Sequence, residues 1–217
     1  AKEVGAPLCV ISFFTEGPTD EPSHFARTIS GIDGDESRKW MLSRQQEDKV
    51  ALAGYAEIIH LPFKDAVFRK DRSGEEYYNS WSQVFGAVNK QDELEFSQHA
   101  DKVKEIILAM GPTHLFLPLG IGGHVDHMLV RNMGIKMDLS SSVQRIWYEE
   151  LPYASTVSIS SPEKTLRLEF ELAQKKNLVC KYTNGLGTSE NRAEMLAQIL
   201  QCNHENYRIS ESVTVSP

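Results

Sequence analysis

The stretch HLFLPLGIGGHVDH, residues 114–127, decides how the rest of the chain is read. Residues 115–119 are an unbroken apolar run of strand length, as expected for a strand buried on both faces of a parallel sheet. Gly120, Gly122 and Gly123 then let the backbone turn sharply and let a ligand come close. Residues 127–137 read as a helix. A strand, a glycine turn and a helix in that order mark the carboxyl end of a strand in an open α/β sheet, where ligand sites form. At that point His124 and His127 flank Asp126. Imidazole is the commonest divalent-metal ligand near neutral pH, and a nearby carboxylate can fix its tautomer. A solvated helix cap would explain Asp126, whose charge suits a helix N-terminus. It would not explain two histidines beside a glycine turn.

Outward from this stretch, strand and helix signals alternate. Residues 8–14 (LCVISFF) read as a central strand, and 15–35 as a long loop of the kind that forms a functional rim. Residues 37–56 predict a helix with Trp40, Met41, Val50, Leu52 and Ala53 inside, followed by a strand over 57–61. Residues 64–90 give no period and read as an irregular insertion. Residues 92–110 predict one amphipathic helix with Leu94, Phe96, Val103, Ile106, Ile107 and Met110 inside, stopped by Gly111-Pro112. A strand over 143–148, helices over 163–182 and 189–201, and a final edge segment over 207–215 complete the chain. This alternation predicts a Rossmann-like three-layer α/β/α sandwich with a mostly parallel sheet, in one domain spanning 1–217.

Composition narrows the function classes. A formal charge of −7 argues against a broad nucleic-acid surface. No apolar run reaches the ~18 residues a membrane span needs. Three cysteines, far apart and odd in number, do not make a disulfide framework and point to a reducing, cytoplasmic setting. The run GIGG over 120–123 lacks dinucleotide-binding spacing, because Val125 stands where the third glycine would be. Residues 1–5 (AKEVG) read as the last turn of a helix closing on a glycine cap.

The Gly-His-x-Asp-His string of residues 123–127 resembles the second motif of the PIG-L/LmbE-like deacetylases, which are zinc-dependent hydrolases of N-acyl groups, mostly on amino sugars. The ordered set of motifs agrees. Residues 44–48 (RQQED) resemble that family's Arg-x-x-Glu helix, Asp65 in LPFKDA its Leu-x-x-Asp loop, and WYEELPY over 147–153 its Tyr-Glu-Asp-x-Pro-Tyr strand. Residues 175–182 resemble its late Lys…Tyr helix. The resemblance implies that His127 ligates zinc, that His124 stabilises or protonates the tetrahedral intermediate, and that Asp126 orients a histidine. It also implies that Arg44, Asp65, Tyr148, Glu149 and Glu16 contact a small N-acylated substrate, a sugar conjugate. A homo-oligomer is compatible with it.

The family's other half-site is a His-Pro-Asp-Asp-Glu loop after its first strand. The nearest string here, GPTDE over 17–21, keeps Pro18, Asp20 and Glu21 but has neither the ligating His nor the basic Asp. Residues 15–17 (TEG) match the exit of the family's second strand. The domain is therefore expected to lack its first strand and most of its first helix, roughly 30 residues. A non-catalytic binding or scaffold relative with an incomplete metal site is the alternative. Among other residues, His60 reads as a satisfied core histidine, Arg69 as a loop residue, and Tyr77, Tyr78, Trp81 and Phe85 as core aromatics before a sugar-stacking wall.

Overall fold

The apolar run 8–14 forms strand β1 (Cys9–Ser12), which pairs in parallel with β2 (Glu57–His60), Cys9 opposite Glu57 and Ser12 opposite His60. The computed structural model describes residues 7–30, 34–156, 164–169, 172–182, 192–201 and 204–209. The expectations for residues 1–5 and for the ends of the 189–201 and 207–215 segments lie outside these. The chain divides into two units, Ala1–Val84 with Glu171–Gln201, and Phe85–Phe170 with Cys202–Pro217.

In the first unit, the expected 15–35 loop contains helix α1 (His24–Ser30). Its start was hidden among loop-type residues: Ser23 is the cap, its hydroxyl accepting from Ala26 N at 3.0 Å. Helix α2 (Gly34–Leu52) follows. Of the predicted inner set Met41 is buried, beside Ser37, Glu47 and Ala51, whereas Val50 is 49% exposed; Arg44 and Asp48 are half-buried. Buried Ser37 and Glu47 mask the period of that face. After β2, a 3₁₀ turn (Ala66–Phe68) is wholly buried, and Asp65 caps it by accepting from Val67 N. Tyr78 and Tyr77 are buried as expected, whereas Trp81, opening the short α3 (Trp81–Val84), is 54% exposed.

Two further helices, α7 (Leu172–Val179) and α8 (Arg192–Gln201), belong to this unit. A half-buried anchor of the unit is the Asp48 carboxylate. It accepts from Ser12 Oγ at 3.2 Å, faces His60 Nε2 at 3.0 Å and bonds the Tyr182 phenol. One side chain of α2 thus ties β1, β2 and the segment after α7. A cavity of about 350 Å³ opens beside it, lined by Phe14, Met41, Arg44, Gln45, Asp48 and Tyr182.

In the second unit, β3 (His114–Pro118) pairs in parallel with β4 (Gln144–Tyr148). Then β6 (His204–Ile209) runs antiparallel to β4, and β5 (Lys164–Glu169) antiparallel to β6, giving the order β3-β4-β6-β5. The fold is therefore mixed α/β with short parallel strands, and this sheet is not mostly parallel. The segment containing Tyr207 lies inside it instead of at its edge. The helix expected from residue 163 begins as strand β5, because Leu166 and Leu168 alternate with Thr165, Arg167 and Glu169, a period of two.

The single helix expected over 92–110 is two, α4 (Lys90–Ser97) and α5 (Ala100–Ala109). Ser97 Oγ turns back onto the Leu94 carbonyl at 2.7 Å, where its hydroxyl competes with the helical ladder. Asp92, Phe96, Val103 and Ile107 are buried, while Leu94 is 56% and Met110 40% exposed. Helix α6 (Val125–Lys136) lies close on β3: a Cβ on Gly134 would stand 2.7 Å from Leu117 Cδ1. No helix among the described residues is long and apolar enough to cross a membrane.

A histidine site at the end of strand β3

The register of β3 against β4 builds this site. Pro118 lies opposite Tyr148, and Leu119 N donates to the Tyr148 carbonyl at 3.0 Å. Two residues further on, therefore, Gly120 meets Glu150. Gly120 adopts a positive φ of 84°, which turns its N–H and that of Ile121 toward one carboxylate. Glu150 accepts from Gly120 N at 2.6 Å and from Ile121 N at 3.2 Å, and its side chain is only 4% exposed.

The turn then delivers α6. His124 is the helix cap, with extended backbone, and its Nδ1 accepts from Asp126 N at 3.2 Å. A ring nitrogen that accepts carries no proton, so neutral His124 holds its proton on Nε2. Asp126 is buried in the first turn, and it is its backbone N–H that orients the His124 ring. His127 lies one turn on. Its Nδ1 is buried and stands 3.4 Å from Glu150 Oε1, while its side chain as a whole is 34% exposed.

Four rings gather here. The His124 and His127 ring centres are 5.2 Å apart, Phe85 meets His124 edge-on at 5.1 Å, and Tyr153 meets His127 at 5.8 Å. Tyr153 also lies against the backbone of Gly122, where a Cβ would stand 2.9 Å from its ring.

The structure thus brings His124, Asp126 and His127 together. Tyr148 and Glu149 are half-buried at the end of β4. Sequence reasoning missed Glu150, Phe85 and Tyr153 as site residues. Glu150 was legible in principle: two adjacent parallel strands in register bring the residues just past their ends together. In the first unit, Arg44 Nη1 pairs with Asp65 Oδ2 at 3.4 Å and the Arg44 guanidinium stacks over Trp40, so two predicted residues meet there. Glu16 is exposed at the exit of β1, its N–H donating to the Phe63 carbonyl. Arg69 donates to the Lys64 carbonyl and stacks on Phe14 and Tyr78. Asp20 pairs with Lys70 at 2.6 Å on the surface, and that ammonium holds its carboxyl below the usual range. Cys9 and Cys180 are free thiols.

Toward a metal, the His127 imidazole is the fitting donor, because both Glu150 oxygens already hold backbone amides and both His124 nitrogens are committed, Nδ1 to the Asp126 amide and Nε2 to its proton. Among the described residues no third His, Cys, Asp or Glu completes a cluster. The residues present fit an imidazole contribution to a divalent site, not a whole one.

The fold is that of solved deacetylases. No family model matches the chain. It is 32% identical over 126 residues to the 2'-N-acetylparomamine deacetylase of Niallia circulans, a match covering 56% of this chain and 44% of that protein. It is 30% identical over 127 residues to the protein of that name from Streptomyces fradiae, covering 57% of this chain and 42% of that one. The chain thus spans under half the length of the curated relatives it matches. Among solved structures, a deacetylase–bog complex from the teicoplanin biosynthesis pathway superposes with a TM-score of 0.77 at 20% identity, covering 98% of this chain and 91% of that one. The zinc-inhibited form of a teicoplanin deacetylase gives 0.74 at 23% identity, covering 98% and 91%. The A40926 pseudoaglycone deacetylase gives 0.71 at 15%, covering 99% and 89%.

Proposed function

We propose that this protein is a zinc-dependent N-deacetylase of the PIG-L/LmbE-like family, acting on an N-acetylated amino sugar or a related small-molecule conjugate. The observation that carries this reading is the strand-end histidine pair, presented on one helix start over a glycine turn. The similarity to two amino-sugar deacetylases over 126 and 127 residues supports it. The whole chain 1–217 is read as one Rossmann-like three-layer domain of a cytoplasmic enzyme, able to form a homo-oligomer.

In this reading His127 is a zinc donor, joined by donors that the described residues do not supply. A zinc ion held there would supply Lewis-acid polarisation of the acyl carbonyl and a lowered pKa of the attacking water. His124, holding its proton on Nε2, would hydrogen-bond the developing oxyanion and support the leaving amine, whose proton comes from the attacking water. Asp126 keeps that tautomer by engaging Nδ1 through its backbone N–H. Phe85 and Tyr153 shield the imidazoles from bulk water. Arg44 with Asp65, Glu16, Tyr148 and Glu149 are assigned to substrate contact.

The alternative reading, for which the donor set among the described residues leaves room, is a binding or scaffold relative without catalysis. Amine release from N-acetylated amino sugars, measured with zinc loaded and after chelation, tests both. Release that chelation abolishes is expected. No release from any N-acyl substrate with stoichiometric zinc bound overturns the enzyme reading, and absence of zinc binding favours the scaffold.

A further inference from the structure

We propose that Glu150 is a positioning residue that fixes the donor nitrogen of His127 and locks the glycine turn with the same carboxylate. This rests on the metal-site reading above but concerns a residue to which that reading assigns no role.

Glu150 reaches the site from β4, not from the motif that carries the histidines. Its carboxylate has about four lone-pair positions. One oxygen takes Gly120 N and the other Ile121 N, at 2.6 and 3.2 Å. The oxygen on Gly120 N also faces His127 Nδ1 at 3.4 Å, within ion-pair range but without a hydrogen bond, so the carboxylate acts on that buried nitrogen through its charge. The carboxylate is nine-tenths or more buried, so it remains in place only through these partners.

Two consequences follow for chemistry. First, a carboxylate beside a buried ring nitrogen stabilises a proton on that nitrogen. His127 then carries Nδ1–H, and its Nε2 lone pair is left for a metal on the partly open side of the ring. His124 has the opposite assignment, since its Nδ1 accepts. The two imidazoles of the motif are thereby divided into an electron-pair donor and a hydrogen-bond donor. Secondly, the Gly120 and Ile121 amides are occupied by Glu150. The glycine turn is therefore not an anion nest, and stabilisation of an oxyanion falls to His124.

The tautomer can be read directly. In metal-free, ¹⁵N-histidine-labelled full chain, long-range ¹H–¹⁵N correlation should show His127 protonated at Nδ1. An Nε2–H form in the unsubstituted protein overturns the proposal, whether or not any variant folds. Glu150→Ala should shift His127 toward Nε2–H and weaken Co²⁺ binding, followed by its visible absorption, about 10–100-fold. Glu150→Gln, whose carbonyl can still accept from Nδ1–H, should retain that tautomer. A folded Glu150→Ala variant with an unchanged tautomer and unchanged Co²⁺ affinity also overturns it. The tautomer readout requires neither zinc nor turnover. Loss of the deacetylase reading would leave it standing, and an active enzyme with His127 protonated at Nε2 would defeat the inference alone.

Discussion

Two histidine–carboxylate pairs, one in each unit, show how similar chemistry serves different ends. His60 and Asp48 meet at 3.0 Å, and His127 and Glu150 at 3.4 Å. The His60 side chain is 11% exposed, and its partner also binds Ser12 and Tyr182. That carboxylate spends its lone pairs on side chains from several elements, so it acts as a rivet. The His127 side chain is 34% exposed, and its partner's other contacts are backbone amides of a turn. That carboxylate holds local geometry and leaves a ring nitrogen to work. The lesson is that the role of such a pair is decided by what else the carboxylate holds and which ring nitrogen it faces.

The sharpest break between the pairs should come from the rings. His127→Ala is expected to lower zinc affinity by at least about 100-fold, beyond the usual cost of losing an outer-shell partner, as read by competition with a chromogenic chelator. His60→Ala should leave zinc affinity unaltered. Equal losses in the two variants would erase the distinction.

A smaller effect is expected at the rivet. Asp48→Ala strands the Ser12, His60 and Tyr182 donors, at a cost of about 1–3 kcal/mol for each buried group left without a partner. Urea unfolding should record the loss, while zinc affinity in the folded variant stays unchanged.

The smallest is an alkaline titration. Burial and the neighbouring Asp48 charge push the Tyr182 phenol well above the ordinary tyrosine range. The unfolded chain releases that proton near pH ~10 while the folded chain keeps it. The contribution is intact below that pH, and stability should fall as pH rises through the interval above it. Phenolate absorbance near 295 nm should show one tyrosine titrating late, and Tyr182→Phe should remove both effects.

Much of this was legible in the sequence wherever apolar period and local punctuation agreed. The 114–127 stretch, with its strand, turn and helix, is the clearest case. Readings failed where polar residues face inward. Buried Ser37 and Glu47 hid the period of α2, and buried Asp92 hid that of α4. They failed also where one hydroxyl decides an outcome, as Ser23 does in starting α1 and Ser97 in dividing α4 from α5. At the site, the motif yielded the histidines because their spacing is local. Glu150, Phe85 and Tyr153 arrive through strand register and ring packing, which a linear pattern does not display. Glu149, adjacent in sequence, was the residue singled out instead.

Gly134 carries a consequence of a different kind. It stands seven residues after His127, about two helical turns and ~10 Å along the same face. In mid-helix it costs about 1 kcal/mol relative to alanine, yet a methyl there would collide with Leu117. Sliding α6 by one turn would put Val130 onto that contact. That close approach holds the helix in place along β3. The height of the His127 ring above the sheet is set, two turns away, by a methyl group that is not there.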